Sequence, residues 1–380
     1  MSHFIKKPNT LFVLLTISFV LAVSCKEQHP VMDAFLNIPS DIVENKSVDK
    51  YESLVEGIEY IPLETSPNSM LSEPVQLVVT SYGYTVLDDR RAVKHFDKDG
   101  KFLFDVGRLG RGPGEYSAPV SICYDNDCFY VLDQVYLYKY SAANGKFLEK
   151  YQMPRYCTQA VVRGDYIYCV DLASEDYDII YSTEFSNLDK ADNIFAGYKN
   201  RHIDEDSSFS PLLISGEDVL FCNQYLGRIY QIKDGNLELL LNYDFAEKAI
   251  PEKLLKNGSD LRTLTDMVSD FGNAFIAGDY IIFEYSFLSS TNTCISCVNL
   301  TDNKMMEYSS FWYGIWDSHV YARYDHNLCS DKEFVYRLSS PSNYSIECDS
   351  IPSAFQTFQK IINLTGDDNY YIVKTKLARF

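Results

Sequence analysis

The chain is poor in the residues that bend or break a backbone, with 18 glycines and 13 prolines in 380 residues. That excludes a collagen-like rod and a Gly/Pro-rich disordered chain. Basic residues are also in deficit. Lysine and arginine number 34 against 53 aspartates and glutamates, a net charge of -19. The chain therefore lacks the cationic face that a nucleic-acid binder needs to displace counterions, and no nucleic-acid partner is expected. There are only 6 histidines, and none is spaced as a metal ligand. No Gly-x-Ser-x-Gly elbow and no Gly-Lys-Ser/Thr phosphate loop is present. What is abundant is tyrosine (30) and phenylalanine (23), within 46% hydrophobic and 23% charged residues. That composition points to a folded, strand-rich chain.

The first 25 residues read as an address. Lys6 and Lys7 precede Leu11 to Val23, 13 residues without a charge. A permanent membrane helix needs roughly 20 such residues, whereas 13 is the length of a signal-peptide core. Ala22-Val23-Ser24-Cys25 then resembles a bacterial lipoprotein signal, which implies that Cys25 is lipidated and becomes the mature N-terminus. Lys26-Glu27 also resembles the charged export tag of surface lipoproteins in Bacteroidetes. The expected organisation is a signal peptide at 1–24, a tether at 25–50 and one folded domain at 51–380. Removing 1–24 takes away two lysines and no acid, so the net charge moves from -19 to -21. Anionic lipid repels such a body, and membrane attachment would rest on the acyl chains.

There are ten cysteines, and lipidation of Cys25 leaves an odd number that cannot all pair internally. Cys123 and Cys128 flank a Tyr-Asp-Asn-Asp turn and are candidates for a bridge across a hairpin. Cys294-Ile-Ser-Cys297 has redox or zinc spacing but lies in a Thr/Ile/Val-rich strand with no second pair, so it reads as structural.

A repeat runs through the rest. Tyr84-Thr-Val-Leu-Asp88 leads to Val93-Lys-His-Phe96 and Asp97-Lys-Asp-Gly100-Lys-Phe-Leu. Phe129-Tyr-Val-Leu-Asp133 leads likewise to Tyr136–Tyr140 and Asn144-Gly145-Lys-Phe-Leu. Weaker copies have polar strand ends at Asp171, Asn223, Glu284 and Arg337. The mean spacing is about 50, the period of four-stranded propeller blades. The expected fold is all-β: a six-bladed propeller of four-stranded antiparallel blades, with a short helical insertion around 245–270. Ile58–Leu63 and Tyr370–Leu377 are expected to latch the ring by pairing with the opposite end of the chain.

Gly107-Arg-Leu-Gly110-Arg-Gly-Pro-Gly114-Glu-Tyr116 is the densest motif. It reads as a crossover between the first two blades, with Arg108 or Arg111 paired to a carboxylate such as Glu115. The alternative is a cationic spot for an acidic ligand. With Phe96–Leu103, Glu59–Glu64 and Asp367–Val373, this motif resembles the NHL-like six-bladed propeller lipoproteins of gut Bacteroidetes. The resemblance implies fold and envelope location far more than chemistry. Those proteins usually read Asn-Pro where this chain has Asn369-Tyr370.

Asp88, Asp133 and Asp171 recur at one blade position. They read as caps for strand-end amides, or alternatively as a carboxylate ring open to calcium or a cationic ligand. Trp312 and Trp316 are the only tryptophans, and the cluster around Gly314 suits core or a platform for sugar or peptide. The reading is an outer-membrane lipoprotein, periplasm-facing or on the surface, whose propeller is a non-enzymatic module for a glycan, peptide or envelope protein. Its candidate ligand face is Arg108, Arg111, Trp312 and Trp316, with no cofactor and no resident metal. The competing reading is an envelope lyase or hydrolase that uses channel carboxylates as acid and base.

Overall fold

The computed structural model describes residues 32–35, 55–171, 179–196, 212–223, 227–245, 248–251, 253–254, 264, 267–287, 293–301, 305–310, 328–340 and 368–377. Cys25, Trp312 and Trp316 lie outside the described residues, as do His29, His202, His319 and His326. The chain divides into Met1–Pro30 and Val31–Phe380, and every described residue belongs to the second unit.

Strand β1 is Met32–Phe35 and β2 is Val55–Pro62. A four-stranded antiparallel sheet follows from β3 (Pro74–Thr80), β4 (Gly83–Asp88), β5 (Val93–Phe96) and β6 (Phe102–Asp105). The next is β7 (Ser121–Asp125), β8 (Cys128–Asp133), β9 (Tyr136–Ser141) and β10 (Phe147–Gln152). The third is β11 (Gln159–Arg163), β12 (Tyr166–Asp171), β13 (Ile179–Glu184) and β14 (Asn187–Ala196). Strands β15 (Leu212–Ser215), β16 (Asp218–Asn223), β17 (Arg228–Lys233) and β18 (Asn236–Asp244) come next, then a further separate sheet. That sheet is β19 (Val268–Ala277), β20 (Tyr280–Phe287), β21 (Thr293–Asn299) and β22 (Met305–Ser310). The last strands are β23 (Leu328–Ser330), β24 (Phe334–Ser339) and β25 (Tyr371–Leu377).

Burial explains the pattern. The second strands β4, β8 and β12 are buried along almost their whole length, whereas the outer strand β10 is exposed at all but one residue. A strand covered on both faces is predominantly apolar, as Phe129–Leu132 is, and Tyr84–Leu87 is but for Thr85, whose hydroxyl is hydrogen-bonded. The cores lie between neighbouring sheets. Val78 and Leu87 of the first pack with Ile122 and Val131 of the second, and Cys123 and Leu132 of the second with Ala160 and Cys169 of the third. This is a β-propeller of four-stranded antiparallel blades with almost no helix.

Three expectations need correction. The pairing gives four separate four-stranded blades, not six. The other strands run into one nine-stranded sheet, ordered β1-β18-β17-β16-β15-β23-β24-β25-β2, because β15 and β23 meet in a parallel bridge between Ser215 and Ser330. Among the described residues of 245–270 no helix longer than a turn stands: single turns end in Lys248 N–H to Phe245 O and Leu254 N–H to Pro251 O, only Lys253 and Leu254 are α-helical, and the rest of the expected insertion lies largely outside the described residues. Pro251 has no N–H and turns its predecessor away from helical dihedrals. Cys123 and Cys128 are free thiols: the register sets Cys123 opposite Tyr130 and Cys128 opposite Asp125.

The two chain ends do meet. β2 pairs antiparallel with β25 from Val55–Leu377 to Pro62–Tyr371. Asn369, 1% exposed, ties the junction. Its Oδ1 accepts Leu71 N–H at 3.1 Å, and its Nδ2 donates to Glu64 O at 2.9 Å and Ser69 O at 3.0 Å. The side chain thus does the work of a short β-bridge where proline or another residue could not.

Candidate ligand-binding mouth

Each blade begins with a hairpin, and five such hairpin turns open onto one cavity of about 880 Å³. Drug-sized ligand sites typically span about 300–1,000 Å³. The β3–β4 turn contributes Thr80, Ser81 and Gly83, and the β7–β8 turn Asp125 and Asn126. Asn126 and Asp127 both hold positive φ, 47° and 57°, the geometry of a two-residue hairpin loop that Asn and Asp tolerate. Arg163 and Gly164 come from β11–β12, Gly216 and Glu217 from β15–β16, and Asp331 from β23–β24. Glu59 and Lys374 arrive on the paired terminal strands. In the β5–β6 turn, Asp97 Oδ1 accepts the N–H groups of Asp99 (3.0 Å) and Lys101 (2.8 Å), which presents Lys98 and Asp99 to the cavity.

Several charged groups here hold the blades together. Arg163 donates to Tyr124 O (3.0 Å), Gly216 O (3.1 Å) and Glu217 O (3.0 Å), and so bridges three successive units of the chain. Its guanidinium lies 4.0 Å from Asp125. Burial nevertheless raises the Asp125 carboxyl above its ordinary range. Lys374 pairs with Glu59 at 3.0 Å and sits over the Phe334 ring at 4.3 Å. Tyr336 donates to Asp331 Oδ2 at 2.6 Å, and its ring lies 6.2 Å from that of Tyr84. Burial, with the charge of Glu59 next, drives the Tyr84 phenol far above the usual range, so it stays neutral.

Sequence reasoning missed this mouth. Its residues are turn residues that look like ordinary hairpin punctuation, and only the ring brings them together. Of the residues it favoured, Arg108 and Arg111 lie elsewhere, and Trp312 and Trp316 fall outside the described residues. β6 starts beside the Lys98–Asp99 turn and runs away from it, so the glycine loop begins at the opposite end of the blade. There Arg108 pairs with Glu115 at 2.6 Å, and Glu115 Oε2 accepts Gly112 N–H at 2.8 Å. These contacts hold the Glu115 carboxyl below its ordinary range, the Gly112 amide first and Arg108 second. The loop is the crossover, with Arg108 neutralised and Arg111 exposed to solvent. Gly107 is obligatory, because a Cβ there would lie 2.6 Å from the Tyr140 hydroxyl at a φ of 68°. Tyr116 is buried and donates to Val106 O at 3.1 Å. Tyr116→Phe should lower unfolding stability by about 1 kcal/mol in urea titration, the worth of one such bond.

The carboxylate ring is replaced by caps at two of its three positions. Asp88 accepts Ala92 N–H at 2.9 Å, and Asp133 accepts Ser117 N–H (2.8 Å) and Ala118 N–H (3.1 Å). Among the described residues no three His, Cys, Asp or Glu side chains converge as a metal site requires. Cys297 is fully buried in β21, and burial pushes its thiol up to about 12.

Four-stranded blades whose first hairpins frame one polar mouth define a β-propeller. The chain belongs to the family described as a domain of unknown function (DUF4934), matched over residues 35–376. No curated protein matches it. It is similar in fold to the crystal structure of a putative exported protein from Bacteroides fragilis, at 14% identity and a TM-score of 0.62, over 92% of this chain and 100% of that one. BamB from Moraxella catarrhalis matches more loosely, at 9% identity and a TM-score of 0.35, over 82% of this chain and 73% of that one.

Proposed function

We propose that the protein is a lipid-anchored envelope propeller, a non-enzymatic module that takes a ligand or partner segment into the mouth framed by Ser81, Asp99, Arg163 and Glu217. The observation that carries the reading is the cavity of about 880 Å³ where hairpin turns of five units meet. Its two strongly shifted phenols, Tyr84 and Tyr336, are both held neutral chiefly by burial. Asp125, the lining carboxylate that burial raises, is held by Gly164 N–H at 3.1 Å. That favours binding over acid–base chemistry.

In this reading Cys25 carries the acyl chains, 25–50 is the tether, and the protein sits on the outer membrane, facing the periplasm or the surface. The signal-like Lys6–Cys25 stretch and the exported Bacteroides protein of like fold support it. The nine-stranded sheet counts as two blade units, β15–β18 and β23–β25 with β2, fused at the Ser215–Ser330 bridge. That gives the six units of an NHL-like ring.

The test is a glycan and peptide array probed with the detergent-extracted full chain. Ser81→Trp, which fills the mouth, should lower binding to the hits at least tenfold. Arg111→Ala, on the opposite side of the blades, should leave it unchanged. The reverse pattern would move the site to the glycine loop with Arg108 and Arg111.

A further inference from the structure

The mouth's polar groups divide into those already engaged and those left over. Arg163 is held by backbone carbonyls, Lys374 by Glu59, and Asp331 by Tyr336. Among the described residues, no hydrogen bond or ion pair engages the side chains of Asp99, Glu217 or Lys98. A second observation is independent of this charge count. Tyr84 is 4% exposed and lines the cavity, yet its hydroxyl makes no hydrogen bond among the described residues. Its ring is buried in the wall while its hydroxyl opens onto the cavity, free to bond what enters. The phenol faces the negative charge of Glu59, Asp331 and Asp99, and its ring lies beside that of Tyr336.

An unpaired hydroxyl beside an aromatic wall and surplus carboxylate describes a receptor for one kind of group. From these placements we infer that the mouth binds a protonated primary amine, carried on a small molecule with enough apolar surface to lie against Tyr84 and Tyr336. The ammonium pairs with the unengaged Asp99 carboxylate, and Tyr84 closes the site with a hydrogen bond. A negatively charged ligand is disfavoured, because among the described residues five acids line the mouth against three bases and the whole chain carries -19. The inference rests on the mouth being the binding site and adds the chemistry of what enters it.

Two sources present such an amine in this size range, an amino sugar and a short lysine peptide. The probes are a glucosamine trimer and trilysine, with the N-acetylated trimer as the neutral control. Each is titrated calorimetrically into the full chain at low and at moderate salt. At least one amine probe should bind, more weakly as salt rises, and the acetylated trimer at least tenfold more weakly than its free-amine counterpart. Which amine binds identifies the source. Asp99→Asn should weaken binding about tenfold and Tyr84→Phe several-fold, with thermal unfolding of Asp99→Asn unchanged, since its side chain supports no fold contact. No binding of either amine, equal binding of the acetylated trimer, or wild-type affinity in Asp99→Asn would overturn the inference. If a neutral or acidic array hit is instead lost in Ser81→Trp, the mouth stands as the site and the amine assignment alone falls.

Discussion

Asn369→Ala should be the most destabilising single change at the junction of the chain ends, lowering unfolding stability by about 3–4 kcal/mol. The side chain satisfies Leu71 N–H, Glu64 O and Ser69 O together, at 2.9–3.1 Å, in a site that excludes water. Each buried backbone group left without its partner costs about 1–3 kcal/mol, and alanine supplies none. Part of that is recovered if water enters, which sets the lower figure. Chemical denaturation gives the total. Amide exchange locates it, with protection falling first at Leu71 and along β2 and β25. A loss below about 1 kcal/mol, or exchange that speeds up evenly over all blades, would show that the strand pairing alone holds the ends.

The second expectation is an acid slope set by one imidazole. His95 is fully buried on β5. Thr85 Oγ1 lies 2.9 Å from its Nδ1, its Nε2 has no partner, and its ring packs against Phe104 and Phe129 at centroid distances of 5.0 and 5.2 Å. Burial lowers its pKa from 6.5 to about 4, against weaker upward pulls from the Tyr84 backbone and the charge of Asp97. Between those two values the unfolded chain binds a proton that the folded chain refuses. Stability from this site is therefore complete above pH 6.5 and drains away as the pH falls to 4, by about 3 kcal/mol in all. His95→Phe removes the group, so the wild-type-minus-variant difference should shrink steadily from pH 7 to pH 4. Glu115 and Asp125 contribute equally to both proteins and cancel. Parallel pH profiles would refute the assignment.

Much of the architecture was legible in the sequence, and the reason is burial. All six repeat positions, from Asp88 to Arg337, fall on second strands: β4, β8, β12, β16, β20 and β24. Those strands are covered on both sides, so their apolar runs stand out from any neighbouring loop. The pairing of the terminal strands was legible for the same reason. The joining of β15 to β23 was not, because it depends on one backbone bridge between two serines, and backbone contacts leave no mark on side-chain pattern. The helices expected after Phe245 fall largely outside the described residues, with Lys253 and Leu254 helical just after Pro251. The mouth was the least legible part. Asp99, Arg163 and Glu217 come from three different units, and each alone resembles an ordinary turn or strand-end residue. Arg108 drew attention because charge beside glycine is conspicuous, yet its partner Glu115 was only seven residues away.

The pairing of Val55–Pro62 with Tyr371–Leu377 also sets a timetable. As the chain folds, β2 must wait unpartnered until β25 is available. Blades such as β7–β10 can form from neighbouring sequence, while the seam cannot close before Tyr371–Leu377 is in place. Such non-local contacts are slow to form and expose a bare strand in the meantime. A chain cut short before Tyr371 would keep most of its sheets and still present an open β2 edge, a premature product suited to being recognised and degraded.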